Sequence, residues 1–120
     1  MKETIHIIVI HILSLQICLG NTLRSDIIEY NLNNDMIEEI YISDLEKEIF
    51  SLVIELNEIS ANEFANLTKN NIGNYLIIKF GDIILVEAII QGEIGSGVIV
   101  VGQWNNYHEP KKLLDVILDK

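Results

Sequence analysis

The chain has 120 residues, 49% of them hydrophobic, and a formal net charge of −10. This length suits one domain with a small core. The eight basic residues are scattered and Arg24 is the only arginine. A nucleic-acid-binding surface needs clustered lysine and arginine, so none is expected. The acidic balance fits either a solvated surface or a protein that contacts basic partners.

The first twenty residues have the layout of a cleaved secretory signal peptide. A weakly charged start precedes the apolar run "IIVIHILSLQICL", which is too short to span a bilayer comfortably. Cys18 and Gly20 supply small residues before a cut after Gly20. We therefore predict a signal peptide over residues 1–20, one domain over residues 21–120 without a stable membrane span, and a periplasmic or secreted location. An uncleaved amphipathic or buried segment and a lipoprotein anchored through Cys18 stay open as alternatives.

Cleavage after Gly20 would leave a chain without cysteine and with His108 as its one histidine. The mature chain would then lack a disulfide framework, a thiol nucleophile and a Cys/His metal site. A catalytic triad would need His108, which we expect to be an exposed residue at a helix start, beside Pro110. We predict no enzymatic activity, no metal and no cofactor. A general acid/base pair using Asp82 or Glu87 is the remaining catalytic alternative.

The first predicted elements of the mature chain are short strands. The runs "DIIEYNL" and "IEEIYI" favour β-structure and are separated by an Asn-Asn-Asp turn signal. The charged run "SDLEKEI" fits a turn or a short helical segment. Leu52, Ile54 and Leu56 then alternate along one face, which predicts a strand over residues 49–57.

A short helix is predicted after this strand. Ser60 is expected to be its N-cap, and Glu63 completes a capping box. Ile59 and Phe64 are placed to form the matching hydrophobic staple. Gly73 is expected to end the helix, because glycine adopts the left-handed conformation without steric cost.

Three strands and a second helix complete the predicted order. "NYLIIKF" and "IILVEAII" are joined by Gly81 and Asp82, which suits a type II′ hairpin turn. A turn region, "QGEIGSG", leads to the strand "VIVVGQW". The closing run is a helix with Asn106 as its cap and Pro110 in its first turn. The order predicts an α+β fold in which two helices pack on one face of an antiparallel sheet.

Four runs of the chain occur in the order of one known family: "SLVIELNE", "ANEFANLTKNNIGNYLIIKFGD", "IIQGEIGSGVIVVGQW" and "NNYHEPKKLLDVIL". Their positions at nearly matching spacings are Phe64, Leu67, Thr68, Gly73, Ile90, Ile94, Gly97, Val100 and Gly102. On these residues the chain resembles the head subdomain of the first periplasmic domain of SecD/SecDF protein-export subunits. It departs from the family in its single N-terminal apolar segment and in Pro110 and Lys111-Lys112 of the final helix, which replace small residues.

The resemblance implies a non-catalytic extracytoplasmic module that binds protein, such as an exported polypeptide. An exposed edge strand or a cleft between sheet and helices would serve this role. The alternative is a secreted inhibitor or immunity-type protein whose acidic surface blocks a basic cleft of a partner enzyme. The candidate contact residues are Glu87, an acid inside "ILVEAII", Glu93, Trp104 and Tyr107. The sequence does not specify an oligomeric state.

Overall fold

The computed structural model describes residues 26–46 and 48–119, so the predicted signal peptide, with Cys18, lies outside the described residues. The described elements are, in chain order, β1 (Ile27–Leu32), a 3₁₀ helix (Asn34–Met36), β2 (Ile37–Glu46), β3 (Ile49–Leu56), α1 (Glu58–Lys69), β4 (Tyr75–Phe80), β5 (Ile83–Ile89), β6 (Val98–Trp104) and α2 (His108–Leu118). This composition confirms the predicted α+β class.

The strands form two three-stranded sheets, whereas the sequence led us to expect one antiparallel sheet. The first sheet has the order β1-β4-β5 and the second sheet has the order β2-β3-β6. β1 runs parallel to β4, and the other three pairs are antiparallel. Because β6 pairs with β3 and not with β5, both β5 and β6 are the last strand of their sheet.

The segment 90–97 explains why β5 and β6 do not pair with each other. The amide of Leu56 donates a hydrogen bond to the carbonyl of Gly97 at 2.8 Å, which directs the chain alongside β3. The amide of Ile94 donates to the buried hydroxyl of Thr68 on α1 at 2.9 Å. The segment is therefore tied to β3 and α1 instead of forming a tight hairpin turn.

One hydrophobic core joins both sheets and both helices. Its fully buried side chains include Leu52 and Ile54 of β3, Val101 of β6, Leu85 of β5, Phe64 of α1 and Ile117 of α2. Burying an aliphatic or phenyl side chain of this size contributes roughly 1.5–3 kcal/mol. Phe64 also contacts Tyr30 of β1, with 4.7 Å between the ring centroids. α2 packs against β2 and β3.

The predicted capping box of α1 is wrong by three residues. The helix begins at Glu58, and its N-cap is Asn57, whose side-chain oxygen accepts a hydrogen bond from the amide of Ser60 at 2.9 Å. Asn57 also donates to the carbonyl of Asp35 at 2.7 Å, which fixes the helix start against the connection between β1 and β2. Ile59 is 73% exposed, so it does not form the expected staple.

The other predicted turns agree more closely with the structure. The predicted end of α1 is the exception: the helix ends at Lys69 with Asn70 as its C-cap, and Gly73, with φ of 94°, lies in the turn that follows it. Gly81 has φ of 60° and no positive φ occurs at the next residue, as a type II′ turn requires. The side chain of Asn106 accepts a hydrogen bond from the amide of Glu109 at 3.0 Å, which confirms it as a capping residue of α2.

The charged run "SDLEKEI" is mainly strand, and neither a turn nor a helix through most of its length. β2 continues through Glu46, and the chain reverses near Glu48, which has φ of 66°. Pairing with β3 accounts for this extension, since Ser43 and Ser51 are partners in the ladder. Tertiary pairing here outweighs the local charge pattern.

Candidate functional site

An apolar cleft of about 470 Å³ opens between the first and the second sheet. β5 contributes Val86, Ala88 and Ile89, and β6 contributes Val98, Ile99 and Val100. Successive side chains of a strand point to opposite faces, yet successive residues of both strands line the cleft. The edges of β5 and β6, and not only one face of each, therefore border it.

The floor of the cleft is part of the hydrophobic core. Phe64, Leu76 and Ile78 line it, and each of them is at most 3% exposed. Segment 90–94 forms one wall. The volume lies within the range of ligand-binding pockets, which are also predominantly apolar.

The backbone edges give the cleft a second property. β5 and β6 each have one strand neighbour in the described part of the chain. The amides and carbonyls of a terminal strand alternate in direction, so part of them point away from the paired neighbour. An open edge of this kind accepts a further strand through main-chain hydrogen bonds, while apolar pockets beside it receive the side chains.

Thr68 holds the wall of the cleft in place. Its side chain is fully buried on α1, and its hydroxyl accepts the hydrogen bond from the amide of Ile94. The same hydroxyl lies 3.0 Å from the carbonyl oxygens of Phe64 and Ala65, to which it can donate. At the start of the wall, the amide of Ile90 donates to the carbonyl of Asn74 at 2.9 Å. The wall is therefore held by hydrogen bonds to α1 and to the turn that precedes β4.

Among the sequence-predicted contact residues, Glu93 lines the cleft. It is exposed, and it is the one charged residue among those that border the cleft. Its carboxylate lies beside Gly95, where an added Cβ would be 3.8 Å from Oε2. Glu93 therefore supplies a negative charge at the rim of an apolar cavity.

Glu87 lies on the other face of the first sheet from the core. It pairs with Ile77 of β4, and it accepts a hydrogen bond from the phenol of Tyr75 at 3.1 Å. Burial of the phenol, together with this hydrogen bond and the charge of Glu87, raises the pKa of Tyr75 to about 12. The acid inside "ILVEAII" thus has a partner on the neighbouring strand and does not line the cleft.

The two aromatic candidates lie at the far end of β6. Trp104 is 2% exposed, and its indole ring packs so closely on Gly102 that an added Cβ would lie 2.5 Å from the ring. Tyr107 is 51% exposed and makes an edge contact with Phe50 at 5.9 Å between centroids. Trp104 is therefore a core residue, and neither aromatic borders the cleft.

A surface that sequence reasoning missed continues from the cleft across the solvent-facing side of the second sheet. Tyr41, Val53 and Val100 are direct partners across its three strands, so they form an apolar row in which Tyr41 and Val100 are exposed and Val53 between them is buried. Beside this row, Glu39 and Glu55 are direct partners. The phenol of Tyr41 donates to Glu55 at 2.8 Å, a hydrogen bond that raises the pKa of Tyr41. Only the register, which follows from long-range pairing, places these residues together.

The remaining chemistry of the described residues is sparse. His108 is exposed at the first position of α2. No group of three His, Cys, Asp or Glu side chains within residues 26–46 and 48–119 is arranged to hold a metal ion. Neither α1 nor α2 is long and apolar enough to cross a membrane.

No protein-family model, curated protein or solved structure matches the chain. The resemblance to the SecD/SecDF head therefore stays a prediction from the sequence.

Proposed function

We propose that this protein is a non-catalytic protein-binding module that takes an extended apolar polypeptide segment into the cleft between β5 and β6. The observation that carries the proposal is the coincidence of two open strand edges with one apolar cavity. Parts of β5 and β6 approach each other with Cα atoms within 8 Å, so an added strand pairs with one of the two edges and not with both. That edge offers main-chain donors and acceptors, and the cavity receives the apolar side chains of the segment. This function agrees with the one that the SecD/SecDF resemblance implies, but it rests on the cleft.

The rim of the cleft supplies the binding energy through surface that is exposed in the free protein. Val100 is 56% exposed and Val98 is 36% exposed, although both lie in a strand. Covering the exposed half of one valine contributes about 1 kcal/mol, since full burial of such a side chain contributes roughly 1.5–3 kcal/mol. Because segment 90–94 is already held by hydrogen bonds, little free energy is lost in ordering the wall on binding.

The proposal is tested with a synthetic peptide of alternating valine and threonine, whose binding to the protein is measured by fluorescence anisotropy. We expect Val100→Gln to weaken binding roughly fivefold, the equivalent of about 1 kcal/mol. Val116→Gln is the matched control, because Val116 is 41% exposed on α2 and does not border the cleft. The proposal would be contradicted if the peptide did not bind, or if Val100→Gln and Val116→Gln reduced the affinity for the peptide equally.

Amide chemical shifts add a readout of the binding mode. Strand addition at the cleft changes the amide chemical shifts of β5 or β6. The amide chemical shifts of β1 and β2 stay unchanged, because these strands lie at the opposite edges of the two sheets. If an apolar dye bound in the cleft and the peptide did not, the site would be one for small molecules and the proposal would be wrong.

A secreted inhibitor that blocks a partner enzyme is the second candidate function. The net charge of −10 favours it, because an acidic surface complements a basic catalytic cleft. A folded basic enzyme bound in a one-to-one complex, with an affinity that Val100→Gln leaves unchanged, would favour the inhibitor over the peptide-binding module.

A further inference from the structure

The rim of the cleft is continuous with a second surface of defined chemistry. Val100 lies at the rim and also ends the apolar row that runs through Val53 to Tyr41. Val98, its neighbour on the same face of β6, is the direct partner of Glu55. A segment bound along the edge of β6 therefore lies beside Val98 and Val100. Glu55 lies one strand further from this segment, on β3.

Two carboxylates face each other on this surface without a basic partner. Glu39 and Glu55 are partners in the ladder, next to an irregularity of the register, and like charges placed opposite one another disfavour strand pairing. The described strands of the second sheet contain no lysine or arginine. Both salt bridges found within the described residues lie inside α2. A basic group from outside would relieve this repulsion.

We infer that the segment bound in the cleft carries a lysine or arginine whose stem lies across Val98 and Val100 and whose charged head contacts Glu55, next to Glu39. This inference rests on the proposed function and names the partner: an extended apolar segment with a basic residue on its solvent-facing side.

The distances permit this contact. Neighbouring strands lie about 4.8 Å apart, so a strand added at β6 is about 10 Å from β3. Lysine and arginine cover apolar surface with their methylene stems while the charged head stays in water. The exposed parts of Val98 and Val100 lie under such a stem, and Glu55 lies at its end.

Charge also distinguishes this occupant from a second copy of the chain. The protein has a net charge of −10, and the described part of the chain has its lysines at positions 69, 79, 111 and 112. Lys111 and Lys112 already contact carboxylates of their own helix. Self-association through this face would bring two acidic surfaces together, whereas a basic peptide complements it.

Two peptides that differ at one position test the inference. One carries lysine and the other glutamine in place of a solvent-facing threonine of the valine–threonine peptide. At low ionic strength we expect the wild-type protein to bind the lysine peptide roughly threefold to fivefold more tightly, the effect of an exposed charge pair. Physiological salt reduces this preference. Glu55→Gln abolishes this preference, and Glu29→Gln, a change at an exposed position of β1 in the first sheet, leaves it unchanged.

The outcomes separate this inference from the function beneath it. If the wild-type protein bound both peptides equally and Val100→Gln weakened both, the cleft would be a binding site but the basic preference would be wrong. If neither peptide bound, the proposed function and the inference would both be wrong. A lysine preference that persisted in Glu55→Gln, or a dimer of the free protein that Val100→Gln dissociated, would also overturn the inference. Urea denaturation shows whether Glu55→Gln remains folded; we expect a midpoint close to that of the wild type, because removal of the like-charge pair offsets the weaker hydrogen bond that glutamine accepts from Tyr41.

Discussion

Replacing Thr68 with valine tests whether one buried hydroxyl holds the wall of the cleft. Valine keeps the shape of the side chain but removes the acceptor for the amide of Ile94, which lies 2.9 Å from the hydroxyl. A buried donor left without its partner costs about 1–3 kcal/mol. Local opening of segment 90–97 should therefore become roughly 5- to 150-fold more frequent.

Amide hydrogen exchange measures this opening directly. We expect the protection of the Ile94 amide to fall by that factor in Thr68→Val, relative to the amide of Ile54, which belongs to the fully buried centre of β3. The matched control is Thr68→Ser, which keeps the hydroxyl and deletes one methyl group. Thr68→Ser should lower the free energy of unfolding by roughly 1 kcal/mol through the cavity that it leaves. The ratio of the protection of the Ile94 amide to that of the Ile54 amide should stay close to the wild-type ratio.

Binding gives the second readout of the same variant. A wall that opens more often must be ordered when a peptide binds, so Thr68→Val should weaken peptide binding more than Thr68→Ser does. Equal protection of the Ile94 amide in the two variants would refute the reasoning, because it would show that the hydroxyl does not control the segment.

Three shorter predictions concern other parts of the molecule. The pKa of Tyr75 is raised to about 12, so its phenol should stay protonated past pH 10 in the folded protein. The free energy of unfolding should therefore fall as the pH rises from about 10 through about 12. Absorbance titration should show that Glu87→Gln lowers the pKa of Tyr75. Asn57→Ala should lower the free energy of unfolding by about 1 kcal/mol in urea denaturation, whereas Ser60→Ala should cost less, because the cap is Asn57. Gly102→Ala should lower the free energy of unfolding by about 2–5 kcal/mol, because residue 102 has a φ of 70° and an added Cβ would lie 2.5 Å from the buried indole of Trp104. A decrease of less than about 1 kcal/mol would contradict this packing.

Local sequence signals predicted most of the elements, since each signal reports on residues close in the chain. Alternation of Leu52, Ile54 and Leu56 predicted β3, and Gly81 predicted the hairpin between β4 and β5. The start of α1 was wrong because two acceptable caps lie three residues apart. Asn57 has the additional hydrogen bond to the carbonyl of Asp35, a contact over 22 positions that no local pattern reports.

The pairing of strands was less predictable than their existence. Neighbouring strands in sequence usually pair, which favours β5 with β6, yet β6 pairs with β3 and β1 with β4. Register decides which side chains meet, and it follows from long-range contacts. For this reason the sequence could not identify Glu39 and Glu55 as direct partners. Thr68 likewise stood out only through the family resemblance, not as the residue that anchors the amide of Ile94.

The candidate site follows from the same departure from local pairing. Had β5 and β6 formed a hairpin, their edges would have satisfied each other and no cleft would separate the sheets. Segment 90–97 prevents this, because its amide and carbonyl groups bond to Thr68 and Leu56 instead of closing a turn. An open edge is an aggregation liability that proteins usually cover or charge. Here Glu93 at the rim and Glu55 on the adjoining face supply charge without closing the cleft. Under the proposed function, negative charge beside an open edge would repel another copy of this acidic chain and leave the edge available to a basic segment, so the same charges would oppose self-association and favour a basic partner.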